Sequence, residues 1–360
     1  MAGKQASLSP EAGAARFGAG PSSPRRPTAG HHRQSQASGR WNLCLCRPYR
    51  SGAVSPATEP EHNKDALPFL HDLTYHDGAP QHSPPGIRRA GASYCNDMTS
   101  GDVQRRIAFL RAALSCSRPL LLENVPWPPG LRVLVLAPHP DDFDAIAVTL
   151  RFFRDRGDEI RLSVISSSPG GVEDSYCSPP TAGAKAALRE REQQESCRLF
   201  GLPEDRLVFL HLPEDESGHP IDSDKNFGRL RSHLLDIRPD LFFLPHGNDT
   251  NPGHRFTFRM LRRFAEQAYF PFSALLNRDP KTLEMRADLY TFFEDGDARW
   301  KADLLRCHRS QHQRNLNVRG HGLDERILQV NRRSAAELPG RGPYAEAFEI
   351  WPVDSGSGTR

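Results

Sequence analysis

The chain has 360 residues, 47 of them Lys or Arg and 44 Asp or Glu, with 37% apolar and 25% charged residues, which is the average composition of a globular protein. A net charge of +3 is too small to argue for a nucleic-acid partner, and no run reaches the roughly 20 consecutive apolar residues that a membrane span needs. Seven cysteines without a CxxC pair suit neither a disulfide scaffold nor a structural zinc module. They read as reduced thiols in an intracellular, cytoplasmic compartment.

Residues 1–60 hold 22 Gly, Pro or Ser and show no helical or strand periodicity, so they lack the apolar surface that would offset the entropy of ordering. Their basic residues loosely resemble a transit peptide, but no amphipathic helix supports that, and the reading is a solvated tail. The expectation through residue 125 is a disordered or poorly ordered region containing one short helix over Val103–Leu114. Pro126, Pro128 and Pro129 then mark the boundary of a domain spanning 126–353.

Order begins with Arg132–Ala137, a continuous apolar run rich in β-branched residues, as in a strand buried on both faces of a parallel sheet. Strands at Ile160–Ser166, Leu207–Leu210 and Leu241–Leu244 then alternate with helices near Ala145–Arg156, Lys185–Phe200, Phe227–Asp236 and His254–Ala268. This βαβ rhythm predicts a Rossmann-like, doubly wound, mostly parallel sheet in three α/β/α layers. Sites in such sheets lie beyond the carboxyl ends of the strands, where the strand order reverses.

Two strand-to-helix turns carry the chemistry. The first, Ala137-Pro-His-Pro-Asp-Asp-Phe-Asp144, can aim one imidazole (His139) and one carboxylate (Asp142) at a common point, with Asp141 between them free to hold a water. The second, His246-Gly-Asn-Asp-Thr-Asn-Pro-Gly-His-Arg255, follows the fourth strand, which in the common doubly wound order neighbours the first. That topology brings His254 toward His139 and Asp142. Two His and one carboxylate with open positions suit a catalytic Zn²⁺ or a non-haem Fe²⁺, and spacing does not choose between them. Absence of GxGxxG and of a P-loop lysine argues against nucleotide binding.

His139-Pro-Asp-Asp142 followed by a Pro-Gly-His254-Arg turn resembles the LmbE-like, or PIG-L-type, family of zinc-dependent N-acetylglucosaminyl deacetylases. That family's first motif usually reads Ala-His-Pro-Asp-Asp-Glu; here Pro138 replaces the Ala and Phe143 the Glu. Arg189, Glu192, Ser196, Phe200 and Gly201 fall in the frame of its Arg-x-x-Glu-x-x-x-Ala-x-x-x-Leu-Gly helix, and Lys301 with His308-Arg-Ser-Gln311 resembles its later Ser-Gln segment. The resemblance runs from residue 131 to residue 313 and on toward a strand-like Tyr344–Phe348.

The resemblance implies His139, Asp142 and His254 as zinc ligands, with Fe²⁺ as the alternative metal, and Asp141 as general base. It also implies an N-acetylated amino sugar or sugar conjugate as the small-molecule substrate. The chemistry would be metal-activated water attacking an amide whose oxyanion rests on the metal. Where the family's third-ligand motif reads His-Pro-Asp-His, this chain has Asn251 and Gly253, so the leaving-group acid must come from Asp141, Asp249 or another group. Arg189, Asn251 and Asp249 are the expected substrate-binding residues. His246 reads as a turn or ligand-orienting histidine, and His308 and His312 read as a solvated helix face. The alternatives are a metal- or sugar-binding protein with lost or altered catalysis, and a hydrolase of a non-sugar amide.

Overall fold

The computed structural model describes residues 100–354 apart from Ser217 and Tyr269, so the tail read over residues 1–60, and the rest of the region expected to be poorly ordered as far as residue 99, lie outside the described residues. In chain order the elements are α1 (Ser100–Leu114), β1 (Leu120–Leu121), β2 (Arg132–Ala137), α2 (Ala147–Asp155), β3 (Glu159–Val164), α3 (Ala182–Phe200), β4 (Leu207–Phe209) and α4 (Asp224–Ile237). They continue with β5 (Leu241–Pro245), α5 (Pro252–Gln267), β6 (Phe272–Asn277), β7 (Leu289–Phe293), α6 (Asp295–Arg306), α7 (Arg309–Arg319), α8 (Leu323–Ala336) and β8 (Tyr344–Val353). No helix among the described residues is long and apolar enough to cross a membrane.

The strands form one open sheet in the order β1-β7-β8-β6-β5-β2-β3-β4. All neighbours pair in parallel except β8, which runs antiparallel to both β6 and β7. The expected mostly parallel α/β sheet is thus the one observed, extended by β1, β6, β7 and a longer β8. Burial of β2 on both faces explains its unbroken apolar run. Val133, Val135 and Ala137 join a core with Leu150 and Phe153 of α2, Phe200 of α3 and Leu110 of α1. Leu134 and Leu136 face the other way, against Leu230 and Leu234 of α4 and Met260 and Phe264 of α5. Each such buried Val or Leu contributes about 1.5–3 kcal/mol relative to exposure.

Three helix starts follow from their cap residues. Thr181 Oγ1 accepts the Ala184 amide at α3 and Ser223 Oγ the Asn226 amide at α4, while Asn251 Oδ1 accepts the Gly253 amide at α5, with Pro252 in the first turn. At the other boundary the structure departs from expectation. Residues 104–125 are packed: Ile107, Leu110, Ala113, Leu114, Leu122 and Val125 are buried, so the globular unit takes in chain that the 126 boundary left outside. Amphipathic burial on neighbours, invisible in a short isolated segment, holds α1 in place.

After β2 the chain moves outward to β3 and β4, then crosses to β5 on the opposite side of β2. Strand order therefore reverses between β2 and β5, which pair in register Val133 with Leu241, Leu134 with Phe242 and Val135 with Phe243. The turns leaving these two strands meet beyond the sheet's carboxyl edge.

Candidate metal centre

The turn after β2 is held in an uncommon shape. Asp141 has φ 105°, a region that non-glycine residues occupy at a cost of about 1–3 kcal/mol unless their surroundings enforce it. Several bonds enforce it. The Asp141 amide donates to Gln193 Oε1 at 3.0 Å, Arg189 donates to the Pro140 carbonyl at 2.6 Å, and the Asp141 carbonyl accepts the amides of Asp144 and Ala145. Gln193 and Arg189, both buried on α3, thereby fix where the two neighbouring carboxylates point. Asp142 Oδ2 accepts the His139 amide at 2.8 Å and lies 3.3 Å from His139 Nδ1, which leaves His139 Nε2 on the far edge of the ring.

From the other turn, the first residues of α5 present His254. Its Nε2 lies 3.3 Å from Asp142 Oδ1, and its Nδ1 lies 3.2 Å from Asp249 Oδ2 and 3.8 Å from Asp279 Oδ1. The carboxylate behind the ring fixes its tautomer and orientation, as carboxylates behind metal-binding histidines do. Gly253 has a steric reason to be glycine: a Cβ there would sit 2.5 Å from His139 Nε2. The chain can bring α5 this close to the His139 ring because nothing projects from residue 253.

One atom from each of His139, Asp142 and His254 can be chosen so that all three lie within 4.8 Å of one another. Ligand atoms about 3.3–3.5 Å apart follow from tetrahedral zinc bonds of about 2.0–2.1 Å, and the Asp142–His254 edge already has that length. A second group, Asp249, His254 and Asp279, is equally compact but engages the opposite nitrogen of the His254 ring. Electrostatics bind the groups together. Burial pushes the Asp142 carboxyl up, yet His254 and His139 overcome it and hold it well below the usual carboxylate range. Burial alone would depress His254, and Asp142 and Asp279 raise it well above its ordinary value. Burial raises Asp141 against the opposing pull of Arg189, as suits a carboxyl that exchanges protons nearer neutrality.

These side chains open into a cavity of about 360 Å³. The loops after β3 and β4 line it through Ser168, Gly170 and Gly171 and through Gly218 and His219. His139, Asp141, Asp142, His254, Arg189 and Asn251 all lie on its wall. Arg189 is buried and bonded to Ser168, Pro140 and, at 3.4 Å, Asp141 Oδ2, instead of being solvated.

The geometry corrects two expectations, for Asp249 and His308, and narrows those for Asn251 and His246. Asp249, expected to meet substrate, is absent from the cavity wall; it is 2% exposed and its carboxylate is engaged by His254, the Asn251 amide and Thr282. Asn251 reaches the cavity, but its carbonyl oxygen is committed to capping α5. His308 is not on a solvated face: it is fully buried, with Nε2 2.6 Å from Asp144 Oδ2. His246 is a turn histidine, accepting the Asn248 amide at Nδ1 and lying 3.4 Å from Glu349 at Nε2.

Sequence reasoning also missed Asp144, Gln193 and Asp279. Asp144 accepts Ser196 Oγ at 2.5 Å and Gln193 Nε2 at 3.4 Å as well as facing His308, so a buried polar network underlies the first turn. Phe143 turns away into the core against Phe200, with ring centroids 4.9 Å apart. Asp279 follows β6, a strand the apolar run Phe272–Leu276 could have revealed; the rule that sites lie beyond strand carboxyl ends would then have pointed to it.

Comparison with known proteins bears out the resemblance read from the motifs. Residues 134–265 match the family model described as PIG-L: GlcNAc-PI de-N-acetylase. The fold is similar to that of N,N'-diacetylchitobiose deacetylase from Pyrococcus horikoshii, with a TM-score of 0.53, 19% identity, and 72% of this chain and 95% of that one covered. Similar also are the conserved protein TT1542 from Thermus thermophilus (TM-score 0.48, 21% identity, 64% and 99% covered) and the zinc-inhibited form of teicoplanin deacetylase Orf2 (TM-score 0.47, 14% identity, 62% and 99% covered). No curated protein matches the chain.

Proposed function

We propose that this PIG-L-type domain is a zinc-dependent deacetylase that removes an N-acetyl group from an amino sugar or sugar conjugate in the cytoplasm. The observation that carries the reading is the convergence of His139, Asp142 and His254 beside Asp141 on the wall of one cavity. The donor set suits Zn²⁺ and also accommodates Fe²⁺: two imidazoles and one carboxylate leave positions open for water and substrate. Asp249, behind His254 Nδ1, directs Nε2 toward the other two donors. A metal held there supplies a Lewis acid for an amide carbonyl and acidifies a water.

The chain's own residues do the rest. Asp141 accepts a proton from water in the cavity, and because burial holds its pKa up, it can pass that proton to the departing amine. Asn251 donates a hydrogen bond but cannot protonate an amine, and Asp249 points elsewhere, which leaves Asp141 as the carrier. Arg189 and Gln193 keep the Asp141 backbone in its left-handed shape. Asn251 supports a second reading: with its oxygen spent on the helix cap and no histidine in its place, the cavity would bind metal and sugar without turnover.

Acetate release from N-acetylated amino sugars by metal-stripped protein, with Zn²⁺ or Fe²⁺ added back, tests the proposal. Release that requires metal and is lost in His254→Ala is the expected result. Stoichiometric metal binding with no release from sugar or simple amide substrates would sink the hydrolase and favour the binding protein.

A further inference from the structure

The corner between α6 and α7 lies beyond the residues of the family match, yet it is pinned beneath the Asp141 turn at two adjoining points. Ser310 donates its amide to Glu192 Oε1 at 2.8 Å and its hydroxyl to Glu192 Oε2 at 2.6 Å. Two residues earlier, the fully buried His308 places Nε2 2.6 Å from Asp144 Oδ2. Asp144 is fully buried as well, and α3 supplies two more donors to its carboxylate, the Ser196 hydroxyl on Oδ1 at 2.5 Å and Gln193 Nε2 on Oδ2 at 3.4 Å. None of these side chains lines the cavity, so whatever they do for the site they do through the Asp141 turn.

Gln193 serves the Asp141 amide only through its carbonyl oxygen, which accepts at 3.0 Å; turned over, it would set one N–H against another. The far end of the Gln193 amide decides which way it faces. An ionised carboxylate oxygen only accepts, so Asp144 Oδ2 draws Gln193 Nε2 and leaves Oε1 toward Asp141. His308 holds that same oxygen from the opposite element. The Asp141 turn needs the constraint, because a φ of 105° persists only where the surroundings enforce it. We propose that His308 is a positioning residue for Asp141: through Asp144 and Gln193 it keeps the Asp141 backbone in its left-handed shape and so aims the carboxylate into the cavity. The effect on the backbone stands without any reaction, while the effect on turnover rests on the deacetylase reading.

Two neutral replacements make the test. A Gln amide nitrogen reaches the place of His Nε2, whereas an Asn amide nitrogen reaches only that of Nδ1, so His308→Gln keeps the donor to Asp144 and His308→Asn loses it. In the zinc-loaded full chain, the Asp141 amide should exchange its hydrogen roughly tenfold faster or more in His308→Asn, measured against amides of β2, and at the parent rate in His308→Gln. With N-acetylated amino sugars, kcat for acetate release should fall roughly 10–100-fold in His308→Asn at unchanged KM and zinc stoichiometry, and stay near the parent value in His308→Gln. Gln193→Met cuts the same path at its last link. It should reproduce both losses without deepening them when combined with His308→Asn, and it carries the test if His308→Asn does not fold. Parent-like exchange at Asp141 in either variant overturns the proposal, as does a double variant whose losses multiply. Faster exchange at unchanged kcat overturns it too, since Asp141 would then be aimed without His308. A parent protein that releases no acetate removes the deacetylase, and the exchange rates alone then decide the positioning.

Discussion

Two buried polar networks lie on either side of the short turn that begins α2, and they differ in how completely they are satisfied. In one, Lys301 is fully buried and uses its three donors on the Ala145 carbonyl, Asn331 Oδ1 and Glu346 Oε1. Glu346 in turn accepts the amides of Val148 and Thr149 and the Thr149 hydroxyl. The other runs through Gln193, Asp144, Ser196 and His308 beneath the Asp141 turn, and leaves His308 Nδ1 and Arg189 Nε buried without partners. The complete network anchors the start of α2 to β8; the incomplete one supports a strained backbone carrying the reactive groups. Two of the buried polar atoms that lack partners thus lie beside the strained turn where chemistry is expected.

Substitutions should separate the two networks. Lys301→Met strands the Glu346 carboxylate in the core, and urea unfolding should register a loss of roughly 3–5 kcal/mol; adding Glu346→Gln should return part of it. A loss below about 1 kcal/mol would mean that the complete network is not an anchor. Asp141→Asn keeps a residue that tolerates positive φ and removes the proton acceptor. Under the deacetylase reading, kcat/KM should fall roughly 10²–10⁴-fold while metal stoichiometry and the urea midpoint hold. Full activity in that variant would take the base role from Asp141.

Smaller effects refine the picture. Asn251→Ala should cost about 1 kcal/mol through the lost α5 cap, restored in Asn251→Asp, which caps equally well; a variant as stable as the parent would return Asn251 to a substrate role. For His308, burial alone would lower the pKa, but the hydrogen bond and charge of Asp144 raise it above the ordinary 6.5. The pair therefore stabilises fully below about pH 6.5 and loses its contribution as pH rises through the elevated folded value. The melting-temperature gap between the parent and His308→Asn should be wider at pH 6 than at pH 9, and a constant gap would show that His308 does not titrate in the fold.

The legible parts of the molecule were those that a local pattern encodes. The buried runs of β2 and β5 and the density of His and Asp just after them pointed to two turns that the structure does bring together, since parallel neighbours at a reversal point bring their exits together. Partners supplied from far along the chain were not legible. Nothing near His308 in sequence says that Asp144, 164 positions away, will neutralise it, so a helix-surface reading was the natural one. Asp249 misled for a related reason: a carboxylate in a turn rich in Asn and Gly shows its chemistry but not its direction.

The lack of a side chain at Gly253 constrains how this chain can change. Placing there the Asp of the motif this turn resembles would drive a Cβ to 2.5 Å from His139 Nε2, so the imidazole would have to swing away from the position in which it offers that nitrogen to a metal. An aspartate at 253 therefore becomes tolerable only where the His139 ring, or the β2 and α5 turns that hold it there, give way.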